Sequence, residues 1–248
     1  MKYVRLRNLW QVRRFVGELR ARRRLQTETA MWSGLAPILK RSASVGCTFY
    51  ELDVLYHHIV EHRPEWILEL GSGISTIVMG YAANQVRAGG RQCTIVSLEQ
   101  HESYFNDLGK LIPSEIAGSI ELIHSPVEVF DIGNGEFIAG RYTKKPKHNY
   151  GLVFVDGPQN LQYRSDSKYL DGDLLDAIDW NADGFVAFLD GRAGTLANLR
   201  KLMPWAEFVR NLHHKFTRIA IPPAECRVGA RPSFSLTPAA AASNGLTS

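Results

Sequence analysis

The chain has 248 residues, 45% of them hydrophobic and 22% charged, with a net charge of +4. That balance suits a single soluble α/β unit with an ample core and excludes a chain too polar to fold; no apolar run is long enough for a membrane-spanning helix. Three widely spaced cysteines (Cys47, Cys93, Cys226) make neither a zinc pattern nor an even disulfide set, which points to a reducing, cytoplasmic setting.

Charge is unevenly placed. Residues 1–41 carry 11 Lys+Arg against 2 Asp+Glu, a balance of +9, whereas the rest carries 18 against 23, a balance of −5. Within this basic arm Leu6, Leu9, Trp10, Phe15, Val16 and Leu19 give an apolar stripe at mostly helical spacing, decorated by Arg5, Arg7, Arg14, Arg20, Arg22, Arg23 and Arg24. Such a helix can lie on an anionic membrane surface, contact nucleic acid, or dock on the body with a solvated Arg face. Arg-rich, acid-poor arms also serve organellar targeting. Leu52, Leu55, Tyr56 and Ile59 then predict a helix over 49–59; the adjacent His57 and His58 point in different directions and make no metal pair.

Trp66-Ile67-Leu68-Glu69-Leu70 predicts a strand covered on both faces. It runs into Gly71-Ser72-Gly73, where backbone without Cβ can approach a ligand closely. Ser75 and Thr76 follow, placed to open a helix whose first amides are free donors. The loop lacks the Gly-Lys-Ser/Thr ending of a P-loop, and Thr76 stands where the dinucleotide fingerprint has its third glycine. Cys93 to Leu98 predicts a second strand ending in Glu99, about 25 residues beyond the loop, close to the spacing at which a strand-end acid accepts from ribose hydroxyls. Residues 102–111 predict a helix, with Tyr104 a candidate flank for an adenine.

A third strand is predicted over Ile120–Ser125. The basic stretch Gly140–Asn149 reads as a solvated loop able to attract an acidic substrate. The fourth strand ends in Asp156-Gly157-Pro158 and the fifth in Asp190-Gly191-Arg192. In an open parallel sheet, strand C-termini line the ligand crevice, so Asp156 and Asp190 should lie near one another. A loop over the site is expected from Gln159 to Lys168, with Tyr163 and Arg164 as substrate contacts, then a helix over 169–180. Residues 207–212 and 216–221 read as an antiparallel pair turning at His213-His214-Lys215. The stretch 232–248, dominated by Pro, Ala, Ser, Thr and Gly, reads as a disordered tail after a domain spanning 42–231.

These motifs resemble the class I S-adenosylmethionine-dependent methyltransferases: Glu69 to Gly73 looks like their first motif and Val96 to Glu99 like their second, over roughly Phe49 to Pro222. The resemblance implies a Rossmann-like, seven-stranded, mostly parallel sheet with helices on both faces and an antiparallel C-terminal edge hairpin. It implies that Glu69 and the backbone of Gly71, Ser72 and Gly73, with Ser75 and Thr76, hold the methionine end of the cofactor. Glu99 would hold the ribose and Ser125 would stand where the family often has an Asp near the adenine. Asp156 and Asp190 match the metal-dependent O-methyltransferases of the catechol and caffeoyl-CoA type, with Gly191 replacing an Asn ligand. A magnesium ion there, or either Asp as general base, would activate an acceptor hydroxyl. Asp156-Gly157-Pro158 with Arg164 also looks locally like the glucuronoxylan-type methyltransferases. The expected substrate is a small molecule or glycan. A non-catalytic cofactor-binding scaffold and an RNA methyltransferase using the basic arm are the alternatives, while Thr76 disfavours a nicotinamide dehydrogenase.

Overall fold

A computed structural model describes residues 2–41, 46–132, 136–158, 168–227 and 237–238. Helices α1 (Lys2–Thr27), α2 (Thr29–Arg41) and α3 (Phe49–His62) precede the first strand. The alternating part follows: β1 (Trp66–Leu70), α4 (Ile74–Ala88), β2 (Thr94–Glu99), α5 (Glu102–Leu111), α6 (Ser114–Ala117) and β3 (Ile120–His124). Then come β4 (Val127–Ile132), β5 (Phe137–Tyr142), β6 (Leu152–Val155), β7 (Tyr169–Asp171), α7 (Asp173–Trp180), β8 (Phe185–Leu189) and α8 (Ala193–Leu202). Strands β9 (Glu207–Asn211) and β10 (Phe216–Ile221) close the domain, and β11 is Thr237–Pro238.

Seven strands form the main sheet in the order β3-β2-β1-β6-β8-β10-β9. All pairings are parallel except those of β10 with β8 and with β9, which put an antiparallel hairpin at one edge. The order reverses direction between β1 and β6, and at such a switch point the strand C-termini open a crevice.

Strand alternation divides the interior into two cores. Ile67, Ile95, Leu152, Phe154 and Phe188 face α3 and α4, whereas Leu68, Leu70, Val96, Leu98, Val153, Val155 and Leu189 face the layer of α7 and α8. Leu25 of α1 and Met31, Leu35 and Ile38 of α2 are buried in the first core, so the basic segment is anchored through these apolar side chains. Full burial of one such Leu or Ile contributes about 1.5–3 kcal/mol.

Two expectations are corrected. Residues 169–180 are not one helix: Tyr169–Asp171 forms β7, parallel to β5, and α7 starts only at Asp173. Gly172 marks the break, since a Cβ there would sit 2.7 Å from Arg141 and 2.9 Å from Ala139. The stretch 140–149 is not simply a solvated loop either. Gly140–Tyr142 belongs to β5, which pairs with β4 and β7 in a second sheet ordered β11-β4-β5-β7. Of its basic residues, Lys145 is buried and ion-paired with Asp173 and Asp176, and Arg141 with Asp176. These cations neutralise buried acids and are not free to recruit a substrate. The tail 232–248 lies outside the described residues apart from β11, which pairs with β4.

Candidate functional site

The glycine loop is held from beneath. Glu69 is paired in register with Ser97 of β2, on the face covered by α4. It is fully buried, and its carboxylate accepts from the hydroxyls of Ser75, Thr76 and Ser97, each at 2.6 Å. Burial raises its pKa to about 7, against the opposing pull of those three hydroxyls. Thr76 also accepts from the Gly73 amide at 2.9 Å, so one hydroxyl ties the loop backbone to the buried acid. Glu69, Ser75 and Thr76 therefore form the foundation of the loop, with the Glu69 carboxylate fully buried beneath it.

The two glycines answer different constraints. Gly71 has φ +92°, and a Cβ there would lie 2.9 Å from the Gly157 amide nitrogen. Gly157 is tight in return, 2.9 Å from Gly71 on the same test. The β1 and β6 turns thus pack backbone on backbone. At Gly73 a Cβ would meet nothing within 4 Å. The protein leaves open space above that position, as a loop that receives a ligand requires.

Glu99 closes the next strand, nearly buried. It accepts from Ser72 Oγ at 2.8 Å and from the His101 amide at 2.8 Å, one bond to each oxygen. A carboxylate has about four lone-pair sites, so two remain for a diol. Ser125 is fully buried, its hydroxyl accepting from the Lys144 amide at 2.8 Å and its own amide donating to Glu99 O at 2.8 Å. Its hydroxyl thus ties the start of the β5–β6 connection to the end of β3. Tyr104 is exposed on α5, edge-on to His101.

At β6 and β8 the acids sit together. Asp156 and Asp190 lie close enough for their charges to act on one another, and Glu51 from the first turn of α3 feels Asp190 in the same way. Burial, then the charge of Asp190, raises Asp156 to about 7 although Arg192 pulls the other way. The same two causes raise Glu51 to about 8. Glu51 is fixed from its other side by a capping box: its amide donates to Thr48 Oγ at 3.3 Å and its carboxylate accepts from the Thr48 amide at 2.7 Å. The Cys47 thiol lies 3.8 Å from Asp156 Oδ2, its pKa pushed up by burial and then by Asp156. Arg192 donates to the backbone carbonyls of Asp156 and Pro158 and to Asp171.

Buried next to the charge of Asp190, Asp156 and Glu51 keep a proton to higher pH than an ordinary carboxyl. Among the described residues no group of three or more His, Cys, Asp or Glu is arranged to hold a metal. The magnesium expected on Asp156 and Asp190 finds no third ligand among the described residues, and Gly191 stands at the position of the missing Asn. Tyr163 and Arg164 lie outside the described residues. Glu51, Cys47 and Arg192 complete the cluster without having been singled out for it by sequence. The Thr48-x-x-Glu51 spacing announces the cap, but no local signal announces that the capping acid reaches β8.

No protein-family model and no curated protein sequence matches the chain. Solved structures do. An S-adenosylhomocysteine-bound methyltransferase from Podospora anserina superposes with a TM-score of 0.53 over 78% of this chain and 88% of its own, at 15% identity. The two chains share a Rossmann-like α/β fold. A putative caffeoyl-CoA O-methyltransferase from Staphylococcus aureus (TM-score 0.46, 10% identity, 69% and 82% coverage) is a more distant match. So is a Thermus thermophilus 16S rRNA methyltransferase bound to AdoMet and guanosine (0.40, 11%, 69% and 42%).

Proposed function

We propose that the chain is an S-adenosylmethionine-dependent methyltransferase acting on a hydroxyl oxygen of a small molecule or glycan. The observation that carries this reading is the line of features along one sheet edge. It runs from an open glycine loop, through a strand-end Glu99 with lone pairs to spare, to a buried Asp156 near neutrality.

The residues fit the cofactor. Gly73 leaves room for the methionine part to approach the loop, and Glu99 accepts from the ribose hydroxyls. When bound, S-adenosylmethionine supplies an electrophilic methyl group. Asp156 takes the proton from the acceptor hydroxyl, and its pKa of about 7 matches a base working near neutral pH. The charge of Asp190 helps keep that carboxyl basic. Gly157 and Arg192 fix the turn that carries Asp156.

Labelled S-adenosylmethionine incubated with the protein and a fractionated cell extract tests this. Methyl label should enter a small-molecule or glycan fraction. Asp156→Asn, with its fold intact by circular dichroism, should lower that transfer by about a hundredfold or more. Transfer at the wild-type rate in the variant would remove Asp156 as the base; label entering only RNA would overturn the acceptor class.

A further inference from the structure

Helix α1 has two opposed working faces. The inner one sits on α3 and on the β9–β10 turn. Ala21 and Leu25 are buried there, Gly17 leaves room for His214, whose Nε2 would lie 2.5 Å from a Cβ, and Glu18 accepts from the Phe49 amide at 2.9 Å. His214 stacks on Tyr50 and lies 2.9 Å from Glu18. The acid and the missing side chain thus belong to docking on the body.

The outer face carries apolar groups that the fold does not use. Val12 and Phe15 are 56% and 62% exposed, with Val16 and Leu19 beside them. Their spacing of i, i+3, i+4 and i+7 places all four on one stripe. At 100° per residue that stripe lies opposite Ala21. Arg13 and Arg20 fall along its flank and Arg23 continues it one turn on, all three exposed. No helix among the described residues is long and apolar enough to cross a membrane.

We propose that α1 lies flat on an anionic phospholipid surface, with Phe15, Val12, Val16 and Leu19 entering the headgroup boundary and Arg13, Arg20 and Arg23 meeting lipid phosphates. Charge complementarity selects this occupant. A second copy of the chain would bring one arginine-flanked stripe against another and repel. Nucleic acid would meet the arginines but leave four apolar side chains against phosphates. An anionic bilayer satisfies both, burying apolar surface and neutralising charge. The inference does not depend on methyl transfer. It does place the α3 N-terminus, which carries Glu51, one helix away from the lipid.

Co-sedimentation of the full chain with vesicles tests it, comparing phosphatidylcholine alone with phosphatidylcholine plus phosphatidylglycerol. Binding is expected to the anionic vesicles and to weaken with salt. Val12→Ser/Phe15→Ser/Leu19→Ser should weaken it about tenfold or more with little change in melting temperature, because these three side chains are substantially exposed. Arg13→Glu/Arg20→Glu/Arg23→Glu should weaken it at least as much. Absent binding to anionic vesicles at low ionic strength, or full binding by the serine variant, would overturn the proposal. So would a wild-type dimer that the serine variant dissolves, or binding to single-stranded RNA with none to vesicles.

Discussion

The acids at the ends of β1 and β2 and those at the ends of β6 and β8 are chemically different populations. Glu69 and Glu99 are surrounded by neutral donors: four hydroxyls and a backbone amide. Asp156 and Asp190 are surrounded by other acids and one guanidinium. Hydroxyls around a carboxylate make a rigid, uncharged mould, suited to a neutral sugar and to a loop that must not move. Carboxyls crowded together make a place where one proton is held loosely. On the proposed function, the first half of this edge would bind and the second would exchange a proton.

Removing Arg192 should have the largest effect on the proton-holding half. Its guanidinium is mostly enclosed and faces Asp171, which is fully buried and raised to about 6 by burial despite that cation. Arg192→Ala strands a buried acid and should cost about 3–5 kcal/mol in chemical denaturation. A loss below about 1 kcal/mol would mean that the acids on this side do not need the cation. On the binding half, Gly71→Ala and Gly73→Ala should separate cleanly. The first meets backbone at 2.9 Å from a positive φ and should cost about 2–4 kcal/mol. The second meets nothing within 4 Å, so its stability loss should stay below about 1 kcal/mol while cofactor affinity falls. Equal destabilisation by both would show that the open space at Gly73 is not kept for a ligand.

The two halves also share a pH dependence. Glu69 and Asp156 are raised to about 7 and Glu51 to about 8 in the folded chain, from ordinary values of 4.5, 3.8 and 4.5. Between those limits the folded state binds more protons than the unfolded one, so stability should fall as pH rises through the window. Melting temperature measured across it should decline, and Asp156→Asn should flatten the decline more than Glu69→Gln. A rising curve would contradict the pKa directions.

Much of the main sheet was legible because it is written locally. The apolar runs ending at Glu69, Glu99, Asp156 and Asp190 each become a strand followed by a turn at the crevice. The β9–β10 hairpin likewise follows from alternation around His213-His214-Lys215. The second sheet was missed although Val127–Ile132 and Phe137–Tyr142 flank Gly133-Asn134-Gly135, a hairpin signal. Tyr169–Asp171 read as helix because three residues carry too little periodicity to reveal a strand. Site roles were harder. Residue type marks Glu69 as an acid beside a ligand loop, but only packing shows that its oxygens are already engaged by Ser75, Thr76 and Ser97. Glu51 comes near Asp190 across 139 residues of sequence, and that proximity exists only in the folded chain.

Calorimetric titration with S-adenosylmethionine, comparing wild type with Glu99→Ala, probes the binding half directly. Saturable one-site binding is predicted for the wild type, weakened about tenfold or more when the carboxylate proposed to receive the ribose is removed. No heat and no thermal shift at millimolar ligand, or equal affinity in both proteins, would contradict the assignment of this sheet edge to the cofactor.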